Sequence, residues 1–307
     1  MRRREHDYRV HNYIESPLPA NTKGQKLVDI QSRRQMCEWS YQIIDHCGFD
    51  KETVSIAMNL LDRFLASSPW ALTDMSAFQL ASISALYTTI KIHEAQAIAV
   101  ESMVVLSRDV YTEQQIEGME RLMLEATKWL LNPPTATAFG WRLAKIFSTM
   151  DPVRFPFDAL LDRINRQLEA AVKHFLLCTM SQSLLAIGAL MNALESFGMT
   201  SEIEQRQTLG NLCAALEMND VGMEYMNIVR AHLFEYLSGT TASPMAPVVS
   251  DDEYDPDGAS TATAMEEDSS LVHPTSPSSV SAVHATSSQY NKIDRHYSRQ
   301  RPHPCMQ

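Results

Sequence analysis

From Leu27 to Leu237 the apolar residues recur at intervals of three and four, the alternating β-branched runs typical of strands are nearly absent, and glycine is sparse. Spacing near 3.6 places such residues on one helical face, so this stretch predicts a succession of amphipathic helices and an all-α fold. In TEQQIEGMERLMLEATKWLL (112–131), Ile116, Met119, Met123, Ala126 and Leu130 line one face, while Thr112 and Gln115 have the spacing of a capping box. The same reasoning predicts helices near 30–47, 51–67, 74–91, 95–105, 112–131, 135–149, 156–178, 181–197, 201–216 and 220–237. Breaks fall at GFD (48–50), NPP (132–134), DPVRFPF and FGMTSE, each with Gly, Pro or a capping residue.

The Pro-Pro break divides these helices into two groups of five. Two tandem five-helix modules, 28–132 and 133–238, are therefore expected after an N-terminal segment, 1–27, with room for a short helix. No sequence identity relates the halves, and a single irregular ten-helix domain fits the same rhythm. Beyond Gly239 the composition turns to Ser, Thr, Pro, Asp and Glu. Large apolar residues are too few there to offset the entropy of ordering, so 239–307 is expected to be a disordered, acidic Ser/Thr/Pro-rich tail.

Several function classes fall away on composition. The net charge of -11 argues against nucleic-acid partners, which are held by Lys and Arg on phosphates. No run of eighteen apolar residues is present to cross a bilayer, so no membrane partner is expected. The five cysteines stand singly, without zinc or disulfide spacing, and fit reduced thiols inside a cell. After MRRR come Glu, His, Asp, Tyr and Arg where a secretory signal needs an apolar core. The ten histidines form no H-E-x-x-H pair, and there is no phosphate-binding glycine loop or serine elbow. The expectation is a non-enzyme without metal or cofactor.

Four ordered blocks then point further: SRRQMCEW (32–39), GFDKETVSIAMNLLDRFLAS (48–67), FQLASISALYTTIKIHE (78–94) and YTEQQIEGMERLMLEATKWLLNPPT (111–135). Together they resemble the N-terminal box of the cyclin family, with LDRFL the most telling fragment. Arg33, Asp62, Leu80, Lys91 and Glu120 match its five signature positions. Residues 135–238 match a second cyclin-type box only in helical rhythm.

The resemblance implies a cyclin-like fold and a regulatory subunit that binds and activates a cyclin-dependent protein kinase in cell-cycle control, located in nucleus and/or cytoplasm. A cyclin-fold, transcription-associated adaptor is the alternative. Arg33 and Asp62 would form a structural ion pair, with Leu80 in the core. Lys91 and Glu120 would hydrogen-bond the kinase, with Ile92, Leu124 and Trp129 as apolar surround. Kinase substrates or inhibitors are further possible partners. Met36, Trp39 and Gln79 fit the family's substrate-docking patch, but Ser32 and Gln35 stand where it carries apolar residues. Simple packing of Met36 and Trp39 on neighbouring helices remains open. Ser243 and Ser276, each before proline, are candidate phosphorylation sites.

Overall fold

The computed structural model of the chain describes residues 1–20, 22–218 and 221–237, the last three without side-chain detail. The segment expected to form the tail, with Ser243 and Ser276, lies outside them. Among the described residues all regular structure is helical. A 3-10 helix at Arg2–Tyr8 precedes α1 (Ile30–Cys47) and α2 (Glu52–Ser67), and a second at Pro69–Thr73 precedes α3 (Met75–His93), α4 (Val100–Leu106) and α5 (Glu113–Ala126). Then come α6 (Ala136–Met150), α7 (Phe157–Val172), α8 (Phe175–Cys178), α9 (Gln182–Ser196), α10 (Glu202–Ala215) and α11 (Met223–Leu237).

Local chemistry starts and stops these helices. The Asp29 carboxylate accepts the Ser32 N–H at 2.7 Å to open α1, and Gly48 at φ 68° closes it, with the Phe49 N–H returning to the Ile44 carbonyl. Asp74 takes the N–H groups of Ser76 and Ala77 at the head of α3. The Thr112–Gln115 capping box of α5 is present in both directions.

The buried apolar residues fall into two clusters, one drawn mainly from residues 10–123 and the other from 136–233. Each surrounds one helix that is buried on all sides: α3 from Leu80 to Ile90, and α9 from Ser183 to Met191. Large buried side chains such as Leu61 and Phe64 each stabilise by roughly 1.5–3 kcal/mol relative to exposure. The hydroxyls that α3 carries into the core find acceptors. Ser82, Thr88 and Thr89 donate to carbonyls one turn back at 2.8–2.9 Å, and Ser84 reaches the Ile116 carbonyl of α5 at 3.1 Å. In the second cluster glycine permits close approach. A Cβ on Gly140 would meet Ile164 Cγ2 at 2.7 Å, and one on Gly188 would meet Val229 and Leu233 at 3.1 Å.

Three elements depart from the expected spans. The helix expected over 156–178 breaks at Lys173 and His174, because Arg33 takes the Val172 carbonyl at 2.9 Å and the chain turns to seat Phe175 in the first cluster. The helix expected over 112–131 ends at Ala126, after which Lys128 and Trp129 adopt φ of 56° and 59°. That expected over 95–105 begins only at Val100, since Glu94 turns back so that its carboxylate accepts the Thr53 hydroxyl at the head of α2.

The N-terminal segment lies across both clusters. Glu5, 7% exposed, accepts the N–H and hydroxyl of Ser183 at 2.6 and 2.8 Å, so it caps α9 from a distant part of the chain. Tyr8 accepts from Asn59 through its carbonyl, and Tyr13 donates to Asp62 at 2.9 Å.

Candidate functional site

Lys91 and Ile92 end α3, and Glu120 and Leu124 lie on α5, which packs beside it. The Lys91 Nζ sits 2.6 Å from Glu120 Oε1 and 2.8 Å from Oε2, and 4.8 Å above the Tyr87 ring. The Thr88 hydroxyl, whose single hydrogen is shared with the Ser84 carbonyl, also lies 3.1 Å from the same carboxylate. The two ends of this pair differ: the Lys91 side chain is 41% exposed, that of Glu120 only 11%. Glu120 is thus a sunken anchor whose charge the lysine and Thr88 compensate, while the ammonium faces outward with donor capacity to spare.

Around the pair the surface is apolar. Ile92 is 47% and Trp129 65% exposed, and Leu124 is half-buried. The left-handed backbone at Lys128 and Trp129 costs free energy in non-glycine residues and projects the indole outward, a pattern found where function holds strain in place. Sequence reasoning missed Val105 and Val110, 68% and 58% exposed, on and just after α4, which packs on both α3 and α5. The signal was available for Val105, which lies two residues from the fully buried Met103 and so about 200° around the helix.

Arg33 and Asp62 form a bidentate pair, Nε to Oδ1 at 2.8 Å and a terminal nitrogen to Oδ2 at 2.7 Å, with side chains 0% and 1% exposed. The guanidinium also lies over the Phe175 ring at 5.6 Å and donates to the Val172 carbonyl at the end of α7, and Tyr13 bonds the carboxylate, so the pair ties the first cluster to a helix of the second half. Opposite charge on Asp62 holds the guanidinium protonated, and burial pushes the Tyr13 phenol well above its usual range. Leu80 is 2% exposed, in the core.

The docking reading of α1 needs correction. Met36 and Trp39 are each 2% exposed and belong to the first cluster, so they offer a peptide no surface. Gln79 is half-buried and accepts from the Tyr111 hydroxyl at 3.3 Å. The inward turn follows from the spacing of α1, where Arg33, Met36, Cys37, Ser40 and Ile44 form one buried stripe and Trp39 and Ile43 flank it.

Burial pushes the thiols of Cys37 and Cys178 up to about 12 and about 11, which leaves them protonated and poorly nucleophilic at neutral pH. Among the described residues no group of three or more His, Cys, Asp and Glu is placed to hold a metal ion.

Residues 2–132 match the family model described as cyclin, N-terminal domain. The chain is 30% identical over 141 residues to G2/mitotic-specific cyclin-2 of Antirrhinum majus, covering 46% of this chain and 30% of that protein. It is 23% identical over 181 residues to cyclin-D3-3 of Arabidopsis thaliana, covering 59% and 49%. The chain thus spans about a third to a half of the length of these relatives. A viral cyclin from Herpesvirus saimiri superposes with a TM-score of 0.56 at 16% identity, over 70% of this chain and 87% of that one. A chain in the structure of the CAK complex from Chaetomium thermophilum bound to ATP-gamma-S gives 0.51 at 14% identity, over 73% and 72%. Both structural matches cover more of the chain than residues 2–132 amount to, so the shared fold continues into the second cluster. Residues 2–132 thus carry a cyclin N-terminal domain, and the helical fold as a whole is shared with a viral cyclin.

Proposed function

We propose that this chain acts as a cyclin, binding and activating a cyclin-dependent serine/threonine kinase through the surface around Lys91 and Glu120, and so serves cell-cycle control as a regulator without catalysis of its own. The observation that carries the reading is a charged pair at 2.6 Å inside an apolar surround of Ile92, Leu124 and Trp129. Polar anchors ringed by apolar contacts concentrate binding energy at protein interfaces. A kinase is competent only when its regulatory helix brings a glutamate to the ATP-holding lysine. A rigid surface that binds this arrangement selectively raises its population, and shifting it from about 1% to 99% requires differential binding near 5.5 kcal/mol. The site of action is nucleus and/or cytoplasm.

The test is affinity capture of the tagged chain from its native cells, followed by identification of the kinase and assay of phosphate transfer. The Lys91→Ala/Glu120→Ala variant should lose kinase and activity together, with binding weakened by at least about 2 kcal/mol, or roughly thirtyfold. Circular dichroism should stay unchanged. Undiminished capture by a folded double variant would refute the assignment of this surface.

A further inference from the structure

The outer face of α6 carries bases and large apolar side chains and no acid. Its inner face, with Phe139, Gly140, Leu143 and Ala144, is buried in the second cluster. Outside stand Trp141, Ile146 and Met150, 49%, 52% and 76% exposed, with exposed Arg142 and Lys145 between them. Val153, 91% exposed, follows beyond the helix end. Residues four apart stack along a helix, so 142, 146 and 150 form one row and 141 and 145 the row beside it, and the strip is continuous. Single exposed apolar residues need no account, whereas a continuous strip marks an interaction surface.

The charges on this strip are unmatched. Elsewhere in the same half Arg154, Arg166 and Arg206 hold carboxylates at 2.8, 2.5 and 2.6 Å. Among the described residues Arg142 and Lys145 have no carboxylate in ion-pair range. Lys145 lies 5.2 Å over the Phe157 ring, whose other aromatic contact is Trp141, edge-on at 6.1 Å. Asp151 and Asp158 flank the strip beyond the helix, and Asp151 is occupied by the Arg154 N–H at 3.0 Å.

We propose that this face docks an acidic segment of the same chain, residues 250–268, SDDEYDPDGASTATAMEED. That segment carries eight acids and no base, with Tyr254 and Met265 among them. Its charge and its spaced apolar residues complement the strip. Reach permits the contact: α11 packs on α7 and α9 as α6 does, and only residues 238–249 separate its end from the segment. A linker of that length spans about 20 Å root-mean-square, against a radius of gyration of about 13 Å for a 100-residue domain. Such a tether supplies an effective concentration of about a millimolar, so contacts too weak to hold a free peptide suffice here.

Carbodiimide coupling tests this directly, because it joins a lysine amine to a touching carboxylate with loss of water. The full chain is coupled as an equal mixture of isotopically light and heavy protein, and the products are mapped by mass spectrometry. Lys145 should couple to the acids of 250–268 about tenfold more than the exposed Lys23 and Lys128 do, within one isotopic copy. The excess should vanish at 1 M salt, where the screening length is about 3 Å. It should also vanish in Ile146→Ser/Met150→Ser, which keeps Lys145, or in Ile146→Ser alone should the pair lose helicity. Equal coupling of the three lysines, or an excess that survives these changes, overturns the proposal. Coupling between light and heavy copies overturns it as well, in favour of a second copy as occupant.

Discussion

Arg33 in the first half and Arg230 in the second are both buried, yet their charges are matched in opposite ways. Arg33 meets one carboxylate, Asp62, in a pair sealed from water at 0% and 1% exposure. Arg230, 9% exposed, spreads its donors over Asn192 at 2.8 Å, Gln205 at 3.1 Å and Glu195, whose side chain is 49% exposed. Asn192 passes the network on to Gln167 at 2.8 Å. A sealed pair is intolerant, since loss of one member strands the other charge, whereas a network of neutral amides open to water at one end can relax. The first half also lends its pair to the junction, through the Val172 carbonyl and Phe175, while the second half closes its helices over glycine.

Four measurements break or sharpen this contrast. The largest effect should come from Asp62→Ala, which strands Arg33 and frees Tyr13, and should cost about 3–5 kcal/mol in urea unfolding. Arg230→Leu should cost less, about 2 kcal/mol, because Glu195, the one charged partner left behind, stays hydrated and the others are neutral amides. Equal losses for the two would erase the distinction between a sealed and a vented arginine. Gly140→Ala should cost about 1–2 kcal/mol through its 2.7 Å clash with Ile164, and a neutral result in thermal melting would show that α6 and α7 can part freely.

The smallest effect is a pH dependence at the junction. Burial, then the nearby charges of Arg34, Lys173 and Arg33, push His174 down to about 4 from an ordinary 6.5. The neutral ring is thus favoured in the folded state, so its contribution is complete above pH 6.5 and is lost as pH falls towards 4. For a half-buried group this amounts to about 1 kcal/mol. His174→Asn should flatten that part of the stability profile, and an unchanged slope would exclude His174 as its source.

Much of the molecule was legible because its signals are local. The Thr112–Gln115 capping box announces the start of α5 through neighbouring N–H groups, and it forms as spaced. LDRFL and SRRQMCEW name the residues of the sealed pair because both lie in recognisable blocks. The break after α7 was not legible, because its cause is Arg33, 139 residues away. Nor was the role of Glu5, a polar residue near the start of the chain that caps a helix 178 residues on. Met36 and Trp39 matched a pattern for surface docking yet face inward, since periodicity reports that a stripe is apolar and not which stripe a neighbour covers.

The amino-acid sequence by itself determined the helical class and most helix boundaries, because helical period and capping act over a few residues, while the resemblance singled out Arg33, Asp62, Lys91 and Glu120. Tertiary structure alone decided that Glu120 is sunken while Lys91 is reachable, that Trp129 is held outward, and that Arg230 sits in an amide network. Those outcomes depend on which helix lies against which, and burial and partner choice are set there across long sequence separations.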